Sequence, residues 1–226
     1  MRLTLAGAVA ALALAAGSAS ASDLYSNGST KDAPTILGAS NNPIAGAYVE
    51  LSTGFGFSSN NISLLSRSAD LSSDGGLLNG RIGYDFKLPN HPFGVGVYVE
   101  GGDNFDVNGD ETGLKWSENW TWGAGGKLFY DHGLGQVYVL GGYAGANEVI
   151  TPTGYPKITK TLSGGEWGVG ISLKLAGNLY GKLEFNQIIY DAQNLGKAGV
   201  DPVWKQVDDR VLFGIGYSFG QFAALK

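Results

Sequence analysis

The feature that most restricts this chain is a two-residue hydrophobic period that recurs in eight stretches. In the first, Ala45, Ala47, Val49, Leu51, Thr53, Phe55 and Phe57 fall on one face of an extended strand. Gly46, Tyr48, Glu50, Ser52, Gly54 and Gly56 fall on the other. Successive side chains of a strand point to opposite faces, so the stretch reads as a strand with one apolar and one polar side. An even number of such strands suits an all-β fold, an eight-stranded antiparallel up-and-down transmembrane β-barrel. A soluble barrel would bury its apolar face inside, and the faces carrying Gly, Ser and charge are too polar to form that core.

The other stretches repeat the pattern. The second turns Leu78, Ile82, Tyr84, Phe86 and Leu88 outward and Asn79, Arg81, Asp85 and Lys87 inward. The third sets Phe93, Val95, Val97 and Val99 against Gly94, Gly96, Tyr98 and Glu100. The fourth sets Trp120, Trp122, Ala124, Leu128 and Tyr130 against Asn119, Thr121, Gly123, Gly125 and Lys127. In the fifth, Val137, Val139, Gly141 and Tyr143 face out. The sixth opposes Trp167, Val169, Ile171, Leu173 and Leu175 to Glu166, Gly168, Gly170, Ser172 and Lys174. The seventh opposes Leu179, Leu183, Phe185 and Ile189 to Tyr180, Lys182, Glu184 and Asn186. The eighth opposes Val207, Val211, Phe213, Ile215, Tyr217 and Phe219 to Asp208, Arg210, Leu212, Gly214, Gly216 and Ser218.

Short turns follow the second, fourth and sixth strands, and longer polar connections, roughly 58–76, 103–113, 146–163 and 192–206, follow the odd ones. Short periplasmic turns and long external loops are the asymmetry of membrane barrels, and both chain ends then lie in the periplasm. Aromatic residues near strand ends, Phe55, Phe57, Phe86, Phe93, Trp116, Trp120, Tyr130, Trp167, Tyr190, Trp204, Tyr217 and Phe219, fit interfacial girdles. Residues 1–21 read as a signal peptide: Arg2, an apolar run, then Ala19-Ser20-Ala21. The run is Ala- and Gly-rich and short for a membrane anchor. Residues 22–43 read as a flexible periplasmic lead-in, 44–219 as the barrel and 220–226 as a short periplasmic tail.

Charge and composition exclude other classes. The formal charge of −5 argues against a nucleic-acid binder, and the absence of cysteine excludes disulfides and thiolate metal sites. His91 and His132 both fall in short turns, and no Gly-x-Ser-x-Gly elbow or phosphate loop is present. No catalytic, cofactor or metal residue is therefore assigned. The 103–110 stretch has spaced oxygen ligands without the Gly and Glu placement of an EF-hand, so it reads as an acidic surface loop.

The inward faces carry six acids, Glu50, Asp85, Glu100, Glu166, Glu184 and Asp208, and six bases, Arg81, Lys87, Lys127, Lys174, Lys182 and Arg210. Eight strands leave an interior only wide enough for side chains, so charges confined there must pair. Glu50 is expected to be bridged by Arg81, Arg210 or both, with Glu100, Lys127 and Glu184 in the same network. Such a network rigidifies the barrel, gates a narrow pore or marks a reactive site; the packing geometry favours the first.

The opening Ala21-Ser22-Asp23-Leu24, then Ala47-Tyr48-Val49-Glu50 and Gly54-Phe55-Gly56-Phe57, resembles eight-stranded outer-membrane surface proteins of the OmpA-barrel and opacity-porin type common in alphaproteobacteria. Gly214, Tyr217 and Phe219 resemble the assembly signal of such barrels, with Leu212 at a position that is usually polar and Phe222 as an alternative end. The resemblance implies insertion by barrel-assembly machinery and a setting of outer-membrane lipid and lipopolysaccharide. The resemblance is specific for fold and weak for function; the leading reading is a structural barrel that supports envelope integrity and displays loops, with weak solute permeability. A small-solute or ion porin and a loop-based adhesin are the alternatives, and a lipid-modifying enzyme ranks behind them.

Overall fold

The computed structural model describes residues 44–64, 67–105, 108–111, 114–152, 158–194 and 203–220. The expected signal peptide, lead-in and most of the expected tail lie outside them. Among the described residues ten strands form: β1 (Gly46–Leu64), β2 (Arg67–Lys87), β3 (Phe93–Phe105), β4 (Asn108–Glu111), β5 (Leu114–Asp131), β6 (Gly135–Pro152), β7 (Ile158–Ala176), β8 (Leu179–Tyr190), β9 (Gln193–Asn194) and β10 (Val203–Gly220). Eight of them run in the order β1-β2-β3-β5-β6-β7-β8-β10, and pairing of β1 with β10 closes the barrel. Every pairing is antiparallel, with β4 on β5 and β9 on β10 as short additions.

The two faces divide as the alternation requires. Phe55, Ile82, Leu128 and Ile215 are each more than half exposed on the outer wall, whereas Glu50, Arg81 and Glu184 are at most 4% exposed inside. So large an apolar outer surface marks contact with a membrane. The outer face also carries a polar row: Trp167 Nε1 donates to Gln187 Oε1 (3.0 Å), and Gln187 Nε2 donates to Asp209 Oδ1 (2.7 Å). The side chains of Trp116 and Trp204, expected in the girdles, lie outside the described set.

The expected long loops are largely strand. β1 and β2 stay in register out to Leu64 opposite Arg67, across most of the 58–76 connection. The 103–113, 146–163 and 192–206 connections likewise contain the ends of β3 and β6, the starts of β7 and β10, and strands β4 and β9. An antiparallel ladder satisfies its own backbone groups, so polar residues extend a hairpin into water without a hydrophobic signature. The 21-residue β2 is roughly 70 Å long at ~3.3 Å per residue and rises roughly 50 Å when tilted by about 45°, against a hydrocarbon layer of about 30 Å. The strands therefore stand well clear of the outer surface.

At the opposite end, three short turns reverse the chain. Asn90 (φ 60°), Gly133 (φ 88°) and Gly177 (φ 57°) take the left-handed conformation these reversals need. The first and last strands end here too, with Ala47 opposite Gly220.

Inside, aromatic rings lie over glycines on the neighbouring strand. Tyr48 covers Gly83, Tyr98 covers Gly125, Tyr138 covers Gly170, Tyr180 covers Gly216 and Phe129 covers Gly94; each is a cross-strand pair, and a Cβ at any of these glycines would overlap the ring. The glycines thus make room for tyrosines whose hydroxyls reach the lumen.

Two facing expectations are corrected. Ala45 does not face outward: Gly46 (φ 99°) bends the chain beneath the barrel, where Ile44 and Ala45 are 5% and 2% exposed. Gln136 Nε2 donates to the Ile44 carbonyl, and Ser218 Oγ donates to that of Ala45 at 3.1 Å. Gln136 belongs to β6, four strands from β1 either way round, so this segment crosses the periplasmic mouth. Asn119 is exposed, not inward, because the β5–β6 register shifts between Glu118 and Thr121. That bulge turns Glu118 into the lumen instead.

Two outcomes are expected from this packing. Gly170→Val, which forces Tyr138 aside, should cost about 1–3 kcal/mol of stability by urea titration in detergent. A thiol introduced by Ile44→Cys, the only one in the chain, should react with an impermeant maleimide far more slowly than one introduced by Asn90→Cys; equal rates would refute the crossing segment.

Candidate functional site: a two-tier ion network in the lumen

The lower tier centres on Arg81, held inward on β2. Its Nε donates to Glu100 Oε2 (2.8 Å), Nη1 and Nη2 donate to Glu184 at 2.6 and 2.8 Å, and Nη1 lies 3.6 Å from Glu50 Oε2. The planar guanidinium suits such forked pairing. Lys182 Nζ donates to Glu50 (2.8 Å) and Glu184 (3.4 Å). The covered tyrosines supply neutral donors: Tyr180 to Glu50 (2.9 Å), Tyr138 to Glu184 (2.6 Å) and Tyr98 to Glu166 (3.2 Å). Arg81 also stacks on the Tyr98 ring, 4.6 Å from its centroid.

Towards the periplasm, Lys127 pairs with Asp85 (2.7 Å) and sits 4.8 Å from the Tyr48 ring centroid and 5.0 Å from that of Tyr138. At the rim, Lys87 donates to Asp131 (2.8 Å) and Lys174 to the Gly133 carbonyl (3.0 Å).

Above the lower tier lies an apolar layer. Leu77, Leu162, Ile188 and Leu212 are at most 3% exposed, and Ala144, Ala146 and Tyr190 cluster with Leu162 and Ile188, so Tyr190 lies inside and not in an interfacial girdle. Ile188 follows Asn186 along β8, and Leu212 separates Gly214 from Arg210 on β10. The upper tier is on the far side of this layer. Arg210 Nη2 donates to Glu118 (2.9 Å) and Asp208 (3.4 Å), Gln206 Nε2 donates to both carboxylates (3.4 and 3.1 Å), and Asn104 Nδ2 donates to Glu118. Glu148, opposite Glu118 in register, is 1% exposed.

The sequence therefore brings Glu50, Arg81, Glu100 and Glu184 together as expected, but not the whole set. Arg210 does not reach Glu50, because it lies beyond the apolar layer. Lys127 serves Asp85 and the aromatic rings. The expected balance of six acids and six bases also fails, since Lys87 and Lys174 sit at the rim while Glu118 and Glu148 join the interior. Alternation carried past Tyr143 would have flagged Glu148; nothing in the sequence marks the bulge that admits Glu118. His91 and His132 are exposed in the periplasmic turns, and the side chains of Asp106 and of residues 108–110 lie outside the described set. Gly214 faces the lumen, while Tyr217 and Phe219 face outward near the periplasmic end with ring centroids 5.0 Å apart.

The model of the outer membrane protein beta-barrel domain family matches residues 6–219. The chain belongs to that family. It is an outer-membrane β-barrel, with its apolar wall in that bilayer. Among solved structures it is similar to Ail of Yersinia pestis (14% identity, TM-score 0.43, covering 75% of this chain and 98% of that one). Neisserial surface protein A is similar at 15% identity and TM-score 0.43, covering 77% and 98%. The N-terminal barrel of Pseudomonas aeruginosa OprF is similar at 15% and 0.43, covering 74% and 97%. No curated protein matches the sequence.

Arg81→Met leaves three buried carboxylates without their guanidinium and should cost about 3–5 kcal/mol; adding Glu184→Met should recover part of that in the same urea titration. At the rim, burial works to raise the Asp131 carboxyl, but the Lys87 ammonium and the Gly133 N–H hold it below the usual carboxylate range. A lowered folded-state value means stability that is present at neutral pH and lost as pH falls through the ordinary carboxylate range and below. Lys87→Met should therefore flatten the acid limb of the stability–pH curve.

Proposed function

We propose that this outer-membrane barrel is a structural envelope protein that supports envelope integrity and displays surface hairpins, with weak permeability to small solutes. The observation that carries this reading is the filled lumen: a crossing segment at the periplasmic mouth, the Arg81 network, then the layer around Leu77 and Leu212. Eight strands leave room for side chains but no open channel. Strands that overshoot the bilayer favour display of the hairpin tips. Gly214, Tyr217 and Phe219 serve as the signal read by barrel-assembly machinery, and lipopolysaccharide surrounds the outer-leaflet half of the wall. Ion-pair rearrangement and wetting of the apolar layer set the weak permeability.

Planar-bilayer recording on the purified protein tests this. Rare, brief openings are expected, made more frequent by Leu212→Ala or Arg81→Gln. Large, stable openings of the native protein would overturn the structural reading in favour of a porin. Cells lacking the protein should be more sensitive to detergent and bile salt; unchanged sensitivity would remove the envelope role.

A further inference from the structure

The outer wall is recessed along one strand. Tyr180, Lys182, Glu184 and Asn186 of β8 are buried inside, so Gly181, Leu183 and Phe185 face outward. Gly181 has no side chain, Leu183 is half-buried, and Phe185 is only 7% exposed, with the Trp167 ring centroid 5.9 Å away. The neighbouring rows stand higher: Leu173 and Leu175 on β7, and Phe213 and Ile215 on β10, are all exposed. Between these ridges lies a groove of ≈ 630 Å³ that continues past Thr53 on β1 to Leu78 on β2.

Its chemistry and position select the occupant. Ser52 and Lys182 border the groove from inward-facing positions, and the one polar side chain lining it on the outer wall, Thr53, donates its hydroxyl to the Leu77 carbonyl (3.0 Å). The groove therefore offers a ligand hydrocarbon and no side-chain hydrogen bond. At ~3.3 Å per residue and a tilt of about 45°, Gly181 lies roughly 5 Å above Leu179, the periplasmic end of β8. Leu78 lies roughly 20 Å above Lys87, the periplasmic end of β2. The groove thus starts in the periplasmic leaflet and climbs past the middle of a hydrocarbon layer of about 30 Å. At its mouth Tyr217 stands opposite Leu179, and Asn178 Nδ2 donates to the Tyr217 hydroxyl (3.5 Å), an exposed polar pair at headgroup depth. A two-fold dimer through this face would set groove against groove and leave a void. A flexible chain fills it and touches both ridges and the floor, where a flat wall gives one side only.

We propose that the groove over β8 is a lipid-binding site that holds one acyl chain of a phospholipid from the periplasmic leaflet. The carboxyl end of the chain lies beside Tyr217 and Ile215, its middle over Gly181 and Leu183, and its methyl end towards Thr53 and Leu78. At roughly 30 Å³ per methylene-sized unit, the volume suits a single chain. Gly181 sets the depth: a Cβ there meets only ordinary contacts, the nearest being a Leu175 methyl at 3.7 Å, so the wall has room for a side chain that the sequence omits.

The test is photo-crosslinking of the full-length protein in vesicles of phosphatidylethanolamine and phosphatidylglycerol that contain a trace of phosphatidylethanolamine with a diazirine in one acyl chain. Adducts are mapped by mass spectrometry, and folding is verified by heat-modifiable gel mobility. With the diazirine at mid-chain, Leu183 should be labelled several-fold more than Val97 and Leu128, which are 55% and 61% exposed and lie at similar heights on other parts of the wall. Gly181→Phe should cut the Leu183 adducts several-fold and leave those at Val97 unchanged. Moving the diazirine towards the carboxyl end should shift adducts to Ile215, and towards the methyl end to Leu78; the reverse order would overturn entry from the periplasmic leaflet. Labelling that follows exposure alone would overturn the site, as would unchanged Leu183 adducts in folded Gly181→Phe. An unlabelled groove in a protein that migrates as a dimer would give the face to a second copy and overturn the lipid. If Gly181→Phe fails to fold, Gly181→Leu and the native comparison decide.

Discussion

The clasp of Glu100, Glu184 and Glu50 around one guanidinium is the interaction on which the rest of the interior depends. Arg81 reaches from β2 to β3, to β1 and across to β8. It therefore ties walls that share no backbone ladder. A closed eight-stranded wall gives such a side chain no route to bulk water, so its charge must be met in place. Lys182 and the hydroxyls of Tyr138 and Tyr180 complete the coordination, and the tyrosines occupy their positions because glycines on adjacent strands leave room for their rings. Removing one member would affect strands on opposite sides of the barrel.

The interior is layered rather than uniformly polar. A crossing segment at the periplasmic mouth, an ion tier, a belt of Leu and Ile, and a second acidic tier follow one another along the axis. An apolar belt between two charged tiers is an effective barrier, because an ion crossing it sheds water without gaining a partner. The packing that fills the lumen is also what closes it.

The mismatch between strand length and bilayer thickness carries paired backbone beyond the hydrocarbon layer. Much of what alternating sequence alone presents as loops is thus, among the described residues, paired backbone.

The sequence by itself determined the strand count, the facing of nearly every strand, the location of the short turns and the membership of Glu50, Arg81, Glu100 and Glu184 in one interior. All of these follow from a period of two, which is local. Tertiary structure decided the remainder. Whether Arg210 meets Glu50 depends on the height of each strand relative to its neighbours, and the intervening Leu77–Leu212 layer appears only once the barrel closes. The turn of Glu118 into the lumen depends on a bulge set by pairing with β6, and the burial of Ala45 on a left-handed glycine and two acceptors supplied by distant strands. Alternation specifies which side of a strand a residue takes; stagger and closure, which are properties of the whole sheet, specify whom it meets there.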